Sequence, residues 1–390
     1  WPETNGIKLI SAGDSSNTII DGGGTSSVIY MNPQTATIDT TTLIQGFKIT
    51  NGGGVSNGAG ILINGANPFI KKSSIVNNST QTNDTSVLTS GGGCYLNNST
   101  ARFEEVSIMF NTSHNGGGIY STANPTLANV IISNNTASGW GGGIYNTGSP
   151  TIRNVTISNN TSGWNSGGGI YNTGYPTLTD VIIDNNSAPS AGGYHHYNGI
   201  SNLSNVIIQS NIATSVYGSG GGILIFGGQF NFSNGTILNN TSSQGGGIYI
   251  YGGSMDLTNI TLSKNLASDK GGGIIIKNVS PSITGITLYG NDATNSGDAI
   301  YVESGNPTIS QSNFVDNNEG IINLDNSNII AGINNYWGNL SGPYHPSQNP
   351  TGQGDSTNAF VNVDPWLTAP NTDAPPIPAQ SVAVSNKGND

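Results

Sequence analysis

The sequence predicts an all-β chain folded as a right-handed parallel β-helix, a β-solenoid of about twelve coils with three short strands in each coil. Three observations predict this fold. A Gly-Gly-Gly-Ile-Tyr segment recurs about every 25 residues, a β-rich segment follows each copy, and an Asn closes that second segment. A unit of this length is too short for a strand, a crossover helix and a second strand, and such a period is typical of solenoids.

The Gly-rich segment supplies one strand and the turn before it. Gly tolerates the positive φ of a tight turn and lets neighbouring coils approach closely, whereas a phosphate-binding loop would need a following helix and a Lys. The Ile and the residue after it are expected to point inward and outward, because side chains alternate along a strand. The copies begin at Gly58, Gly91, Gly116, Gly141, Gly167, Ala191, Gly220, Gly245, Gly271 and Gly297.

The second segment supplies the remaining strands of each coil. It reads PTLANVIISNN from Pro125, PTIRNVTISNN from Pro150 and PTLTDVIIDNN from Pro176. Short alternating stretches of Val, Ile and Thr that end in Asn or Gly are typical of strands separated by turns. None of these segments shows a 3.6-residue helical period, so the whole unit is read as one coil.

The Asn that closes the second segment is the most regular position of the chain. Asn tolerates left-handed turn geometry, and stacked amide side chains can hydrogen-bond to each other and to turn backbone. We therefore expect an internal Asn ladder in preference to a metal-binding or catalytic role. Its predicted members are Asn78, Asn111, Asn135, Asn160, Asn186, Asn211, Asn240, Asn265, Asn291 and Asn317.

The repeat also divides the chain. Residues 1–338 are predicted to form the β-helix, with opening coils over 1–57, regular repeats over 58–319 and a last partial coil over 320–338. The turn-rich residues 339–368 are predicted to be C-terminal cap loops. The Pro-rich residues 369–390 are read as a tail, which is either a linker or an arm that covers a sheet edge.

Composition excludes several classes of function. The chain has 390 residues, of which 10 are basic and 21 acidic, for a net charge of -11, and its largest basic cluster is the pair Lys71-Lys72. Nucleic acid is therefore not an expected partner. One cysteine, Cys94, excludes an intrachain disulfide and a multi-cysteine metal site. No apolar run is long enough to span a membrane. The start at Trp1 and the composition favour an extracellular or cell-surface location.

Several motifs resemble known β-helix families. IIDGGG at Ile19 and GFKITNG at Gly46 are similar to the opening coils of pectate-lyase-like β-helix proteins. The GGGIY units with their trailing Asn resemble the repeats of polymorphic outer-membrane proteins. NNYWGNLSGPYHPSQNPTGQGD from Asn334, with VDPWL at Val363, resembles the end of many exported β-helix repeat proteins. The resemblance covers nearly the whole chain and implies the fold and an exposed location. No stretch matches a lyase or polygalacturonase active site.

An outer column of aromatic side chains is the first candidate site. A column at this spacing either stacks on sugar rings and contacts another molecule, or forms a self-stacking ladder that loops partly shield. Both interpretations stay open from the sequence. The candidate ligand-binding residues are Tyr95, Tyr120, Tyr145, Tyr171, Tyr249 and Tyr301.

The second candidate is the copy that departs from the repeat. It contains His195 and His196 and follows a strand with Asp180 and Asp184. Imidazole and carboxylate groups together suit acid–base chemistry or metal binding, although no third ligand is fixed by spacing. The alternative is that this copy is a loop variant that the fold tolerates. The four residues are therefore candidates only, and no metal site is assigned to them.

The sequence also contains candidate calcium ligands and candidate glycosylation sites. Asp355 and Asp364 are calcium candidates in the C-terminal loops, and no other cofactor is expected. Asn-x-Ser/Thr sequons are glycosylation candidates where they lie in outer turns, whereas the ladder members Asn78 and Asn111 are expected to be too buried. The sequon candidates are Asn83, Asn98, Asn154, Asn202, Asn231, Asn259, Asn278 and Asn339.

The sequence favours an exported, non-catalytic structural or adhesive β-helix of the cell surface or extracellular matrix. Its expected partner is a glycan, a cell-envelope component or a second copy, joined end to end or laterally into fibres or a sheath. The alternative is a polysaccharide lyase or glycoside hydrolase of the pectate-lyase-like fold. That alternative predicts a groove bordered by inserts at 81–90 and 210–219.

Overall fold

The chain winds into a parallel β-solenoid of three sheets. The computed structural model describes residues 1–81, 88–164 and 166–379, and these residues form forty-two β-strands and no helix. Each strand pairs in parallel with the equivalent strand of the next coil, for example Ile119–Ser121 with Ile144–Asn146. Parallel pairing at one-coil separation satisfies the backbone groups of the inner coils, as a cross-coil ladder does in any β-solenoid. The predicted fold class is confirmed.

Sheet 1 has twenty-one strands. Its strands are Lys8–Ile10, Ile19–Asp21, Leu43–Gln45, Lys48–Thr50, Phe69–Lys71, Ser74–Val76, Arg102–Glu104, Ser107–Met109, Thr126–Ser133, Thr151–Ser158, Thr177–Asp184, Ile200–Ser204, Ile207–Gln209, Gln229–Leu238, Ser254–Ser263, Ser282–Thr284, Thr287–Tyr289, Thr308–Ser310, Asn313–Val315, Ile330–Ala331 and Val361–Asn362.

Sheet 2 and sheet 3 complete each coil. The eight short strands of sheet 2 are Thr112–Ser113, Thr136–Ala137, Thr161–Ser162, Ser187–Ala188, Ile212–Ala213, Thr241–Gln244, Leu266–Lys270 and Asp292–Ala293. The thirteen strands of sheet 3 are Ile29–Met31, Ile61–Asn64, Cys94–Asn97, Ile119–Ser121, Ile144–Asn146, Ile170–Asn172, Tyr194–His196, Ile223–Ile225, Ile248–Ile250, Ile274–Ile276, Ile300–Val302, Glu319–Asn323 and Ser356–Thr357.

The sheet 1 segment of each regular coil contains a bend that the sequence pattern did not separate. The bend is a residue with positive φ, such as Asn129 at 55°, Asn154 at 50° and Asp180 at 56°. Around Glu105, the bend divides the segment into two strands. A coil therefore has three sheets but up to four straight segments, because sheet 1 turns a corner within itself.

The core consists of columns of like side chains along the rod axis. Ile132, Ile157 and Ile183 occupy one register position in successive coils, and each is fully buried. Burying a side chain of this size contributes roughly 1.5–3 kcal/mol. The period-2 alternation of the strands puts these residues inside and leaves Thr156 and Ile182 on the outer face.

The Asn ladder is confirmed, and its hydrogen bonds join three coils at once. The Nδ2 of Asn135 donates to Asn160 Oδ1 at 3.0 Å and to the Ile108 carbonyl of the preceding coil at 2.9 Å. The backbone N–H of Asn135 donates to the same Asn160 Oδ1 at 3.0 Å. The amide-to-amide bond repeats from Asn78 to Asn317.

The left-handed turn beside the ladder belongs to a different residue from the one expected. Positive φ occurs at the position immediately before each ladder Asn, as at Asn134 (56°), Phe110 (56°) and Ser210 (54°). The expectation that the ladder Asn itself makes this turn was wrong. The preceding residue turns the backbone, and its turn leaves the ladder amide buried.

The C-terminal region continues the solenoid and then folds back on it. Pairing extends past residue 338, because Val361–Asn362 pairs with Ile330–Ala331. The start of the Pro-rich tail lies against sheet 1: the Asn371 N–H donates to Asn313 Oδ1 at 2.8 Å, and Asn313 Nδ2 donates to the Asn371 carbonyl at 3.1 Å. We call residues 371–377 the C-terminal arm. In the described part of the chain, no helix has the length and hydropathy that a membrane crossing needs.

Candidate functional site

The outer face of sheet 3 carries a column of stacked aromatic rings. Tyr95, Tyr120, Tyr145 and Tyr171 share one register position in four successive strands. Their ring centroids are 5.3, 4.8 and 5.0 Å apart, with interplanar angles of 3°, 7° and 20°. The spacing follows from the rise of one coil, which equals the distance between neighbouring strands.

At the next coil the column moves sideways by two residues. His195 meets Tyr171 edge-on, at 5.0 Å and 89°, whereas Tyr197 continues the stack from Tyr171 at 6.2 Å and 29°. Phe226 and Tyr251 then follow at 5.3 and 5.1 Å, with nearly parallel rings. We call the rings from Tyr95 to Tyr251 the aromatic column. It crosses seven coils with one ring in each.

The second half of this column was not among the predicted site residues. Tyr197, Phe226 and Tyr251 lie two residues after the position where the repeat places its aromatic residue. The available signal was that this later position is aromatic in three consecutive coils. Side chains two residues apart on a strand share a face, so both positions point outward.

Exposure differs along the aromatic column. Tyr197, Phe226 and Tyr251 are 45%, 45% and 39% exposed. Of the predicted tyrosines in the column, Tyr171 is buried and the other three are half-buried. Tyr249 and Tyr301 are also buried, because they pack with Ala191, Leu224 and Ile275 in a small apolar cluster outside sheet 3. These two rings lie outside the aromatic column.

The stacking determines which parts of the rings can meet a ligand. Each inner ring has its faces against its neighbours, so the column presents ring edges and phenol hydroxyls to solvent. Burial raises the pKa of Tyr120 and Tyr145, so both hydroxyls remain protonated donors near neutral pH.

A line of polar side chains runs beside the start of the column. Asn97 Nδ2 donates to Asn64 Oδ1 at 2.7 Å, and Thr122 Oγ1 donates to Asn97 Oδ1 at 2.6 Å. Aromatic edges flanked by hydroxyls and amides are suited to hydroxylated ligands, because both apolar and hydrogen-bonding groups are offered together.

The structure does not bring the four predicted acid–base candidates together. His195 and His196 belong to the Tyr194–His196 strand of sheet 3, whereas Asp180 and Asp184 lie on sheet 1. The two histidines are also not in a loop, contrary to the loop-variant interpretation. Asp180 accepts a hydrogen bond from Asn205 Nδ2 and is exposed on the outer surface.

His196 is enclosed within the rod. Its Nδ1 is 2.9 Å from Ser201 Oγ, which is itself 2.7 Å from the Tyr194 hydroxyl. Burial lowers the pKa of His196 to about 4, and burial together with His196 lowers the pKa of His195 to about 3. Both imidazoles are therefore neutral near pH 7, and His196 has no route to a polymeric substrate.

A polar groove crosses four coils on the outer face of sheet 1. It has a volume of about 300 Å³, and one carboxylate, Asp256, lies among the described residues that line it. Glycosidases generally use two carboxylates that flank the scissile bond. The groove can hold a hydroxylated chain but does not supply that pair. Its polar lining is Thr177, Thr179, Asn202, Ser204, Asn231, Ser233, Asp256 and Thr258.

The calcium candidates lie in different environments. Asp355 is buried and accepts hydrogen bonds from Asn317, whereas Asp364 is exposed. Across the described ranges, no group of three or more His, Cys, Asp or Glu residues is arranged to hold a metal ion.

The sequon residues differ in accessibility. Asn231 and Asn339 are half-buried, and the ladder residues Asn78 and Asn111 are buried. Asn83 lies outside the described residues, as does most of the predicted insert at 81–90. The exposed sequon residues are Asn98, Asn154, Asn202, Asn259 and Asn278.

Comparison with known proteins bears on the fold. Residues 129–285 match a family described as a right handed beta helix region. The chain is a right-handed parallel β-helix. The matched part of this β-helix contains the regular coils that carry Tyr145 to Tyr251. No curated protein and no solved structure matches the chain significantly.

Proposed function

We propose that this β-helix is an exported, non-catalytic adhesive or structural rod that contacts glycans through the outer face of sheet 3. The aromatic column carries the proposal. Seven rings on one face form an extended strip, and three of them are more than a third exposed. At the Tyr251 end of the strip, the Lys277 ammonium lies 5.9 Å from the ring centroid. Exposed apolar strips on a polar surface mark interaction sites.

The chemistry of the strip favours a neutral polysaccharide. Ring edges and the hydroxyls of Tyr197 and Tyr251 can pack against C–H groups and hydrogen-bond to sugar hydroxyls. The net charge of -11 disfavours an acidic polymer at long range.

The repetition favours a polymer over a small ligand. Successive rings are about 5 Å apart, so one extended chain can contact several coils at once. Because the sugar units of one chain are linked, binding of one unit raises the effective concentration of the next unit at its ring. Several contacts that are weak individually therefore give a higher overall affinity.

A binding assay on insoluble and gel-embedded neutral polysaccharides tests this function. The triple variant Tyr197→Ser, Phe226→Ser, Tyr251→Ser removes the exposed half of the column. We expect it to lose at least about tenfold in affinity, since each exposed ring contributes roughly 1 kcal/mol.

The matched control replaces two exposed tyrosines and one exposed phenylalanine elsewhere. Tyr175, Tyr217 and Phe110 are 55%, 83% and 56% exposed and lie outside the column. Their change to Ser should leave glycan binding unaltered. Equal loss of glycan affinity in the two triple variants contradicts the proposal. The proposal is also contradicted if the parent chain binds no neutral polysaccharide.

The groove of sheet 1 is the feature that favours the second hypothesis, a lyase or hydrolase. Asp256 is the acid that this chemistry would use there. Turnover of neutral or acidic polysaccharides that disappears in Asp256→Asn would support an enzyme. We expect neither unsaturated products nor new reducing ends.

A further inference from the structure

A cavity of about 500 Å³ opens on the outer face of sheet 3, at the N-terminal end of the rod. Register places Tyr30 opposite Leu62, and Leu62 opposite Tyr95, so the cavity lies at the start of the line that the aromatic column follows. Its volume is within the range of small-molecule sites, roughly 300–1,000 Å³. Its lining is Ser26, Ser27, Tyr30, Gly54, Val55, Ser56, Asn57 and Leu62.

Tyr30 differs from the rings of the aromatic column. It is 49% exposed, and its ring contacts no other ring among the described residues, whereas both faces of Tyr120 are covered by neighbouring rings. The Tyr30 hydroxyl accepts a hydrogen bond from Asn32 Nδ2 at 3.0 Å. A ring held at its hydroxyl and unstacked on its faces offers a flat apolar surface to a ligand.

Backbone hydrogen bonds hold the walls of the cavity. The Gly53 N–H donates to the Ser26 carbonyl at 3.1 Å, which ties the two wall loops together. The Ser90 N–H donates to the Ser56 carbonyl at 2.8 Å, which ties the second loop to the following coil. Preformed walls reduce the ordering cost of binding.

The lining combines apolar side chains with uncharged polar ones. Tyr30, Leu62 and Val55 are apolar or aromatic, and Ser27 and Asn57 supply a hydroxyl and an amide. A sugar ring has the matching pattern, with C–H groups on its faces and hydroxyls at its edge. The absence of a charged group from this lining disfavours uronates and sugar phosphates.

We propose that this cavity is a subsite for one neutral sugar residue, stacked on Tyr30 and hydrogen-bonded by Ser26, Ser27, Ser56 and Asn57. It rests on the proposed glycan-binding function and adds a residue-specific site to the continuous surface of the aromatic column. A chain end bound here is directed along the line toward Tyr95.

The full chain is titrated with soluble neutral hexasaccharides of glucose, mannose and galactose, by calorimetry and saturation-transfer NMR. Tyr30→Ala removes the stacking face, and Ser26→Trp fills the cavity without touching the core, because Ser26 is exposed. We expect each variant to lower the affinity for the hexasaccharide that the parent chain binds most tightly by at least about tenfold. Tyr30→Phe, which keeps the ring, should retain most of the affinity.

The matched control is Tyr344→Ala, because Tyr344 is 46% exposed and lies far from the cavity in the coil order. Unchanged affinity in both Tyr30→Ala and Ser26→Trp overturns the subsite. If the cavity variants keep their affinity and the column triple variant loses it, the proposed glycan-binding function is supported without the subsite. Loss with the cavity variants and none with the column variant supports the subsite and contradicts the column. Binding of no neutral hexasaccharide, or tighter binding of a uronate oligomer, overturns the subsite.

Discussion

Asn and Gly act together at one corner of each coil. A Cβ added to Gly118 would lie 2.6 Å from the Gly143 carbonyl oxygen and 3.0 Å from Asn135 Nδ2. Little space is left for a side chain between the ladder amide and the next coil. The third position of the repeat is therefore Gly in every copy except the last, where Ala299 occupies it. This contact explains why both positions are nearly invariant along this chain.

The ladder ends on a carboxylate in place of an amide. Asn317 Nδ2 donates to Asp355 Oδ2 at 2.7 Å, and the Asn317 N–H donates to both carboxylate oxygens at 3.2 and 3.3 Å. Burial is the main cause that raises the pKa of Asp355 from 3.8 to about 6. Asp355 therefore occupies the rung that an eleventh Asn would occupy, at the cost of holding a buried charge at neutral pH.

Asp355→Asn should change the pH dependence of stability. The folded-state pKa of Asp355 is above its unfolded value, so its protonated form stabilises the fold below about pH 4. That contribution, on the order of 3 kcal/mol, is lost as the pH rises to about 6. Asn has no such titration and can repeat the ladder pattern. We expect the variant to be more stable at pH 7, with the gain shrinking toward pH 4.

Thermal midpoints of the two proteins between pH 4 and pH 7 test this. Taking their difference cancels the opposite effect of the buried His195 and His196, which lose stability as the pH falls below 6.5. Asp256→Asn is the control, because it removes an exposed carboxylate of sheet 1 outside the ladder. Parallel profiles for Asp355→Asn and the parent chain would contradict the assignment.

At the scale of the element, the strands are connected by left-handed corners. The corner before the ladder is Asn in half of the coils, as at Asn134, Asn159 and Asn185, but Phe110 occupies it in one coil with a φ of 56°. Phe110 is also 56% exposed, so its ring contributes little burial. A bulky side chain at positive φ costs roughly 1–2 kcal/mol.

Phe110→Asn should stabilise the protein by up to about 1 kcal/mol, because Asn relieves the backbone cost at little loss of packing. Phe110→Ala is the control, since it removes the ring but keeps a Cβ at positive φ. Denaturant midpoints measure both. An equal gain in stability from Phe110→Ala would show that the exposed ring, and not the positive φ of the corner, destabilises the parent chain.

The whole molecule is quasi-one-dimensional, because strand pairing joins each coil to its neighbours, whereas the C-terminal arm folds back over several coils. The arm crosses back over the outer face of sheet 1, where Thr287 Oγ1 donates to the Pro375 carbonyl and Ala374 is 5% exposed. An added layer at one end is expected to protect the last coils from fraying.

Asn313→Ala removes both hydrogen bonds to Asn371. We expect faster hydrogen exchange in Thr287–Tyr289 and Asn313–Val315, and unchanged exchange in Ile119–Ser121, because coupling along a solenoid is local. The control Asn202→Ala removes another outer-face amide of sheet 1 away from the arm. Slowed or unchanged exchange at both C-terminal strands would mean that the arm does not hold that end.

Periodicity made most of this architecture predictable. Inward Ile, ladder Asn and turn Gly recur at fixed spacing, and each has one physical role in a coil, so the fold, the ladder and the outward aromatic position follow from the printed residues. The sequence by itself determined the repeating coil and its three-sheet pattern.

Tertiary structure alone decided which outward side chains form a surface. The shift of the column from Tyr171 to Tyr197, the burial of Tyr249 and Tyr301, and the separation of Asp184 from His195 all depend on how loops and neighbouring coils lie across the sheet. A local pattern specifies the direction of a side chain from the strand. It does not specify what covers that side chain, because the covering groups come from other coils.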